Sequence, residues 1–280
     1  MRSRNSEIFY PENLLEAQNI LKDYPDSRII AGGTGYFFSE TDRCFDLPEF
    51  ILSTKKLAEL KGISKTERYI DIGAGVSLNK LLSLGKKNIP EILYDGISKI
   101  ANPHIRNLAT IGGNIASQRG RMTLFSILLV LDSKLEIKTG TETIWISFLK
   151  YFTQKDEPNI NTPSFISKIR IPLENWDAWK FSVFNSYTGT NEGVPGFSML
   201  VKMEKNIIMD LRIAYTGKNI FRNREMENRL AGHSLPLGSK DINEMMDISM
   251  EYISNIQDRN PITKKRIQNL IFDTLEKNGR

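Results

Sequence analysis

Apolar residues along the 280-residue chain change period repeatedly, and each change marks an element. Ile8 and Phe9 read as a short edge strand over 7–10. Behind it, Leu14, Leu15, Gln18 and Leu21 follow helical spacing over 11–24, and Pro11 suits the first turn. Residues 28–31 form an apolar strand that runs straight into Gly32-Gly33-Thr34-Gly35; Tyr36, Phe37 and Phe38 after it line either a ligand or the core, with core packing favoured. Strands over 46–53 and 69–75 flank a turn over 61–68. Ser77 is placed to cap a helix through Leu84. Residues 89–101 are helical in pattern and close at Asn102-Pro103, because a residue before proline leaves the α region. Leu124, Ile127, Leu128 and Leu131 predict a helix over 123–131, beneath the glycine turn that precedes it. Segments 134–138 and 142–146 pair as a hairpin around Thr139-Gly140. The alternation over 165–171 is that of a strand, stopped by Pro172.

Residues 173–180, with two tryptophans behind that proline, mark a domain boundary. Beyond it lie strands over 180–185, 197–204 and 207–215, the last two joined by Lys205-Asn206, and helices over 219–230, 241–256 and 261–277. The pattern is α+β throughout, without an internal repeat. Composition narrows the class: 40% hydrophobic and 25% charged residues are those of an ordinary globular protein. The longest apolar run, 127–131, is far too short to span a bilayer. No apolar stretch follows the basic N-terminus, so it does not read as a signal peptide, and the expected location is the cytoplasm. A single cysteine, Cys44, excludes an internal disulfide and an iron–sulfur cluster held by this chain alone. The net charge of +5 raises nucleic acid as a partner. Bases interleaved with acids, and no aromatic stacking platform, argue against it.

Candidate chemistry gathers at two glycine turns. In the stretch 102–117, Gly112-Gly113 breaks the apolar period after Thr110 and Ile111, and Asn114 follows. Glycines let backbone N–H groups approach a ligand and adopt positive φ. Successive N–H groups in such a turn form an anion-binding concavity, with Thr110 and Asn114 as side-chain donors beside it. The turn at Gly32-Gly33 is of the same kind and is fixed by its strand. Neither matches the spacing of a Rossmann or P-loop motif. Two such turns converging on one extended dianion, a diphosphate, is the expected arrangement. His104 and His233 have no metal-ligand spacing to other side chains, so no metal site is expected, and no nucleophile–base pair stands out.

The strings IIAGGTGYF (29–37) and IRNLATIGGNIAS (105–117), with IGAGVSL (72–78) between them, resemble the FAD-binding medium subunit of molybdenum hydroxylases of the xanthine and carbon monoxide dehydrogenase type. That family shares its flavin fold with the vanillyl-alcohol-oxidase group. The resemblance covers nearly the whole chain. It implies a two-part PCMH-type FAD-binding domain over 1–172, with subdomains of about 1–55 and 56–172, and a smaller α+β domain over 178–280 like the C-terminal domain of carbon monoxide dehydrogenase flavoproteins.

The resemblance also implies a cofactor site. Ile29, Ile30, Ala31, Gly32, Gly33, Thr34, Gly35 and Tyr36 would wrap the FAD diphosphate and ribityl chain. Thr110, Gly113, Asn114, Ala116 and Ser117 would take its other side, with Ile100 and Ala101 nearby and Ile166 at the adenine end. Binding would be non-covalent, leaving His104 a solvated loop residue. Three positions depart from the family pattern. Gly35 stands where an aspartate commonly follows AGGT. Thr123 stands where an aspartate contacts the cofactor, with Arg119 and Arg121 adding positive charge. Asn185 stands where a lysine lies near the isoalloxazine. The implied role is electron transfer, from iron–sulfur clusters of a small subunit fed by a molybdopterin large subunit, through FAD to NAD⁺ or another acceptor. The alternatives are a free-standing flavin reductase similar to the enolpyruvyl-UDP-sugar reductases, and a non-catalytic scaffold that has lost FAD.

Overall fold

The computed structural model describes residues 6–38, 47–116, 123–139, 142–153, 164–184, 195–257 and 262–278. Two compact units share the chain. The first comprises Met1–Arg119 and Asp132–Leu173, the second Gly120–Leu131 and Glu174–Arg280.

The first unit opens with β1 (Glu7–Phe9), α1 (Leu14–Asp23), β2 (Arg28–Ile30), α2 (Thr34–Phe38) and β3 (Phe50–Ser53). The three strands pair in parallel, in the order β1-β3-β2. Asn13, not Pro11, starts α1: its side chain accepts the N–H of Glu16 at 2.9 Å, so the proline stays outside the helix. Leu14, Ala17 and Leu21 on the inner face of α1 bury against Leu52, Leu57, Leu60 and Phe165.

Next come β4 (Ile63–Lys65), β5 (Tyr69–Gly73), α3 (Leu78–Ser83), α4 (Glu91–Ser98), α5 (Pro103–Leu108) and α6 (Ile111–Ile115). The helix α7 (Phe125–Val130) belongs to the second unit. The chain then returns as β6 (Lys134–Thr139), β7 (Glu142–Ser147), α8 (Phe148–Thr153) and β8 (Ser164–Pro172). These strands form a five-stranded antiparallel sheet in the order β4-β5-β8-β6-β7. Residues 61–68, expected as a turn, contain β4, which pairs with β5. Pro172, expected to stop β8, is its last residue and lies opposite Tyr69, where a missing N–H disturbs one rung at most. Asp71 and Arg170, directly opposite on β5 and β8, form a two-bond ion pair at 2.7 Å each. That hydrogen bond raises the Arg170 pKa above its ordinary value. The guanidinium also lies over the rings of Tyr69 and Trp145, 3.9 and 4.3 Å from their centroids.

The second unit adds β9 (Ala178–Val183), β10 (Gly196–Glu204), β11 (Ile207–Thr216), β12 (Ile220–Phe221), α9 (Arg224–Leu230), α10 (Ser239–Ile253) and α11 (Ile262–Asn278). Its antiparallel sheet has the order β12-β11-β10-β9. Lys205 and Asn206, at φ 48 and 64, make the tight turn between β10 and β11. The single helix expected over 219–230 is two elements. Ile220 and Phe221 pair with β11, and Asn223 then caps α9 by accepting the N–H of Met226 at 2.8 Å. The helix expected beneath the glycine turn, α7, packs on β10 and β11 within this unit. Ser126 and Ser198 share a buried hydrogen bond of 2.8 Å, and Arg222 and Arg212 donate to the carbonyls of Leu129 and Val130 at the C-terminal end of α7. The core of the unit runs from Phe197, Met199, Ile213 and Tyr215 to Met226, Leu230, Ile253, Ile267 and Ile271.

Candidate flavin site

Both glycine turns lie in the first unit, and the first abuts the residues just before the second. Gly32, just past β2, sits so close to the Leu108 carbonyl at the end of α5 that a Cβ there has no room. Gly33 adopts φ 70, the left-handed region that glycine enters without penalty. Among the described residues the N–H groups of Gly32, Gly33 and Thr34 have no acceptor. This turn therefore keeps the open donors expected of an anion concavity. Beside it, the guanidinium of Arg28 lies 5.2 Å from the centre of the Tyr36 ring.

The second turn differs from expectation. Asn102-Pro103 does not merely end a helix: Asn102 accepts the N–H of Ile105 at 3.0 Å and opens α5, with the proline in its first turn. Thr110 caps the next helix, α6, and the Gly112-Gly113 pair lies within it. The N–H groups here are satisfied. Those of Ile111 and Gly112 donate to the carbonyls of Val76 and Ala74, at 3.0 and 2.9 Å. That of Gly113 donates to the Thr110 hydroxyl at 3.0 Å, and that of Asn114 to the Thr110 carbonyl at 2.9 Å. A row of open donors was expected from this turn, yet the short helix and the 72–78 segment engage them all. Gly113 remains exposed, and a Cβ there would meet only the Thr110 hydroxyl, at 3.0 Å. Asn114, expected as a donor, holds a buried Oδ1 with no partner among the described residues.

The segment 72–78 was not singled out as part of the site, and it is what holds the site together. Besides accepting the two N–H groups, it donates a third bond in return, from the Leu78 N–H to the Ala109 carbonyl at 2.8 Å. Ala74 also donates its N–H to the Ser167 carbonyl at 2.9 Å, so the segment links β8, one residue past Ile166, to Gly112. The signal was the alternation Gly73-Ala74-Gly75, which permits this close backbone approach.

The structure places the other expected residues as follows. Ile29 is exposed; Ile30, Ala31 and Gly35 are half-buried beside the first turn. Ile100 is half-buried, while Ala101 is exposed and at φ 42. Ala116 is exposed and Ile166 half-buried on β8. Thr123 lies in the second unit. Ser117, Arg119, Arg121, Asn185 and Cys44 fall outside the described residues. His104 is an exposed residue of α5 rather than of a loop. Among the described residues, no group of three or more His, Cys, Asp or Glu side chains is placed to hold a metal ion, and no helix is long and apolar enough to cross a membrane.

The quinoline 2-oxidoreductase structure from Pseudomonas putida 86 superposes with a TM-score of 0.79 at 19% identity, covering 100% of both chains. The reconstituted CO dehydrogenase from Oligotropha carboxidovorans gives 0.80 at 18% identity, covering 100% of this chain and 99% of that one. At such identity these show the fold. Residues 4–174 match the family model of the FAD binding domain in molybdopterin dehydrogenase, and the chain belongs to that family. Among curated relatives, the nicotinate dehydrogenase FAD-subunit of Eubacterium barkeri is 32% identical over 157 residues, 53% of this chain and 51% of that one. The glyceraldehyde dehydrogenase medium chain of Sulfolobus acidocaldarius is 24% identical over 80% of each chain. The xanthine dehydrogenase FAD-binding subunit of Escherichia coli O157:H7 is 35% identical over 44% of this chain and 43% of that one. The match thus spans about half the length of the first of these relatives and less of the last.

Proposed function

We propose that the first unit binds one FAD non-covalently and that the chain is the electron-transfer subunit of a multi-subunit molybdenum hydroxylase or dehydrogenase. In this reading residues 1–172 are the FAD-binding domain and 178–280 the C-terminal domain. Electrons arrive from iron–sulfur clusters of a small partner subunit, supplied by a molybdopterin large subunit, and leave for NAD⁺ or another acceptor. The observation that carries the reading is the first glycine turn. Among the described residues it holds three N–H groups without acceptors, at a glycine packed against the Leu108 carbonyl, and the second turn leaves Gly113 exposed.

These residues fit a flavin dinucleotide. Gly32, Gly33 and Thr34 offer backbone donors to a diphosphate, and the unpartnered Oδ1 of Asn114 suits a ligand hydroxyl or amine. The Thr110 hydroxyl caps α6 with its oxygen and retains its own proton for donation. Ile166 is assigned to the adenine end through the resemblance. When bound, FAD supplies both one- and two-electron transfer, and the protein supplies position and electrostatics. With no cluster or molybdenum cofactor of its own in this reading, the isolated chain oxidises no heterocyclic substrate.

One observation favours a second reading, a scaffold that has lost FAD: every N–H from Ile111 to Asn114 is already engaged internally. An absorption spectrum of the purified full chain separates the two. Bands near about 370 and 450 nm, with FAD released on heating, support the cofactor subunit; a colourless chain that refuses added FAD supports the scaffold. Gly113→Trp is expected to abolish flavin binding with an unchanged far-UV spectrum, and stoichiometric flavin in that variant would sink the assigned site.

A further inference from the structure

The guanidinium of Arg106, on α5, is engaged from one side only. Its Nη1 donates to the carbonyls of Ile100, Ala101 and Ser98, at 2.7, 3.1 and 3.3 Å. These bonds fix the plane of the group and close the corner where Ala101 holds φ 42. Its Nε is buried, and among the described residues neither Nε nor Nη2 has an acceptor. Nε and Nη2 form the edge with which an arginine grips a carboxylate or phosphate through two parallel bonds. Arg170 shows that edge in use, with Nε and Nη2 each 2.7 Å from an oxygen of Asp71. Arg106 holds the same fork, oriented by three carbonyls, with no protein acceptor on that edge among the described residues.

A buried guanidinium N–H is costly to leave unmet, so Nε calls for an acceptor, and an anion that also takes Nη2 meets it with a charge-assisted bond. Two residues further along α5, the Leu108 carbonyl lies against Gly32, whose turn carries the three open N–H groups. A planar cationic fork held on a short helix whose other end abuts that turn suits an oxyanion with several acceptor oxygens. We propose that the Nε/Nη2 edge of Arg106 is a binding site for a phosphoryl oxyanion. The ligand's identity rests on the flavin reading above. The phosphoryl group belongs either to the cofactor's diphosphate or to a separate phosphorylated molecule, such as a nucleotide electron acceptor.

The diagnostic change is Arg106→Lys. Lysine keeps the cation and can still donate to the three carbonyls, but lacks the planar two-bond edge. The full chain is titrated calorimetrically with inorganic pyrophosphate, before and after FAD loading, and separately with FAD and with riboflavin. Pyrophosphate is expected to bind the wild type at least about tenfold more tightly than R106K, with unchanged far-UV spectra. If FAD blocks pyrophosphate, and R106K loses affinity for FAD but not for riboflavin, the oxyanion is the cofactor's own. If the FAD-loaded chain still binds pyrophosphate through Arg106, it belongs to a second molecule. Equal pyrophosphate affinity in wild type and R106K, or none in the wild type, overturns the proposal. A second measurement needs no variant: pyrophosphate should shield Arg106 of the wild type from phenylglyoxal, read by peptide mass, and lack of shielding overturns the proposal too. A chain that binds pyrophosphate through Arg106 yet takes no flavin keeps this site and overturns the flavin reading instead.

Discussion

Gly112→Ala tests whether the 72–78 segment is the frame of the site. A Cβ at Gly112 would lie 2.6 Å from the Ala74 Cβ, 2.7 Å from its carbonyl oxygen and 3.0 Å from its Cα. Carbon contacts are comfortable only from about 3.5 Å, so the backbones must separate by several tenths of an ångström. They cannot do so freely, because the Gly112 N–H donates to that same carbonyl at 2.9 Å and the Ile111 N–H to Val76 at 3.0 Å. Overpacking of this kind costs about 1–3 kcal/mol, and a buried N–H pulled off its acceptor about as much again. Alanine recovers roughly 1 kcal/mol of helix propensity. The net loss is about 3 kcal/mol, a melting temperature lower by roughly 6–12 °C at this chain length. Thermal unfolding followed by circular dichroism measures it, with Gly62→Ala as the control. A Cβ at Gly62 has nothing within 4 Å, and the residue is at φ −72, so alanine there should be neutral or stabilise by up to about 1 kcal/mol. If the two variants melt together, α6 is not packed on Ala74 and the account of the frame is wrong.

Thr110→Val removes the cap of α6 and should lower stability by about 1 kcal/mol in urea unfolding, while Thr110→Ser keeps the wild-type midpoint; equal midpoints for both would show that the 3.0 Å bond to Gly113 contributes nothing. Asp71→Asn should cost at most about 1 kcal/mol, since the Arg170 side chain is 31% exposed and screened, and should change Trp145 emission as the guanidinium above its ring loses its anchor; an unchanged spectrum would contradict the stacking. In the second unit, Glu227→Gln leaves the Arg222 side chain, 1% exposed, without its carboxylate and should cost about 3–5 kcal/mol, whereas the double change to methionine at both positions should be far milder. Burial, opposed by Arg222, raises the Glu227 pKa above its ordinary 4.5. A raised carboxylate binds its proton more tightly when folded, so its stabilising contribution is full below about pH 4.5 and is lost as pH rises through the folded value; this slope should vanish from the pH dependence of stability in the double variant.

What could be read directly from the chain was whatever depends on neighbours in sequence. The alternation over 165–171 appears as β8, with its residues buried and half-buried in strict turn. Ser77 caps α3 by accepting the N–H of Lys80 at 3.3 Å, and Lys205-Asn206 turns the β10–β11 hairpin through two left-handed residues. These are local chemistries with one dominant solution each. β4 escaped notice because Ile63-Ser-Lys65 is short, polar and exposed at two of its three positions, and only pairing with Ile70 to Ile72 makes it a strand. The split of 219–230 was hidden for the same reason, since Ile220 and Phe221 fit a helical pattern until β11 offers them a ladder.

The candidate site shows the limit more sharply, because its motifs were visible and their use of hydrogen bonds was not. A Gly-Gly pair has poor helix propensity, so Thr110 to Asn114 reads as an open turn. The pair is helical because acceptors far along the chain, the carbonyls of Ala74 and Val76, take two N–H groups, and Thr110 takes two more. Glycine is then needed at 112 for the approach to Ala74, and at 113 a Cβ would stand only 3.0 Å from the Thr110 hydroxyl. The two glycine turns are therefore not equivalent halves of one anion cradle. The first keeps its donors open because nothing within the described residues accepts them, and the second is a wall, stiffened from behind and presenting Asn114 and a bare Gly113. A ligand recognised at these turns meets open N–H donors at the first and internally bonded backbone at the second. That division puts an anionic linkage at the first turn, and it follows from where the N–H groups go rather than from the glycine spacing.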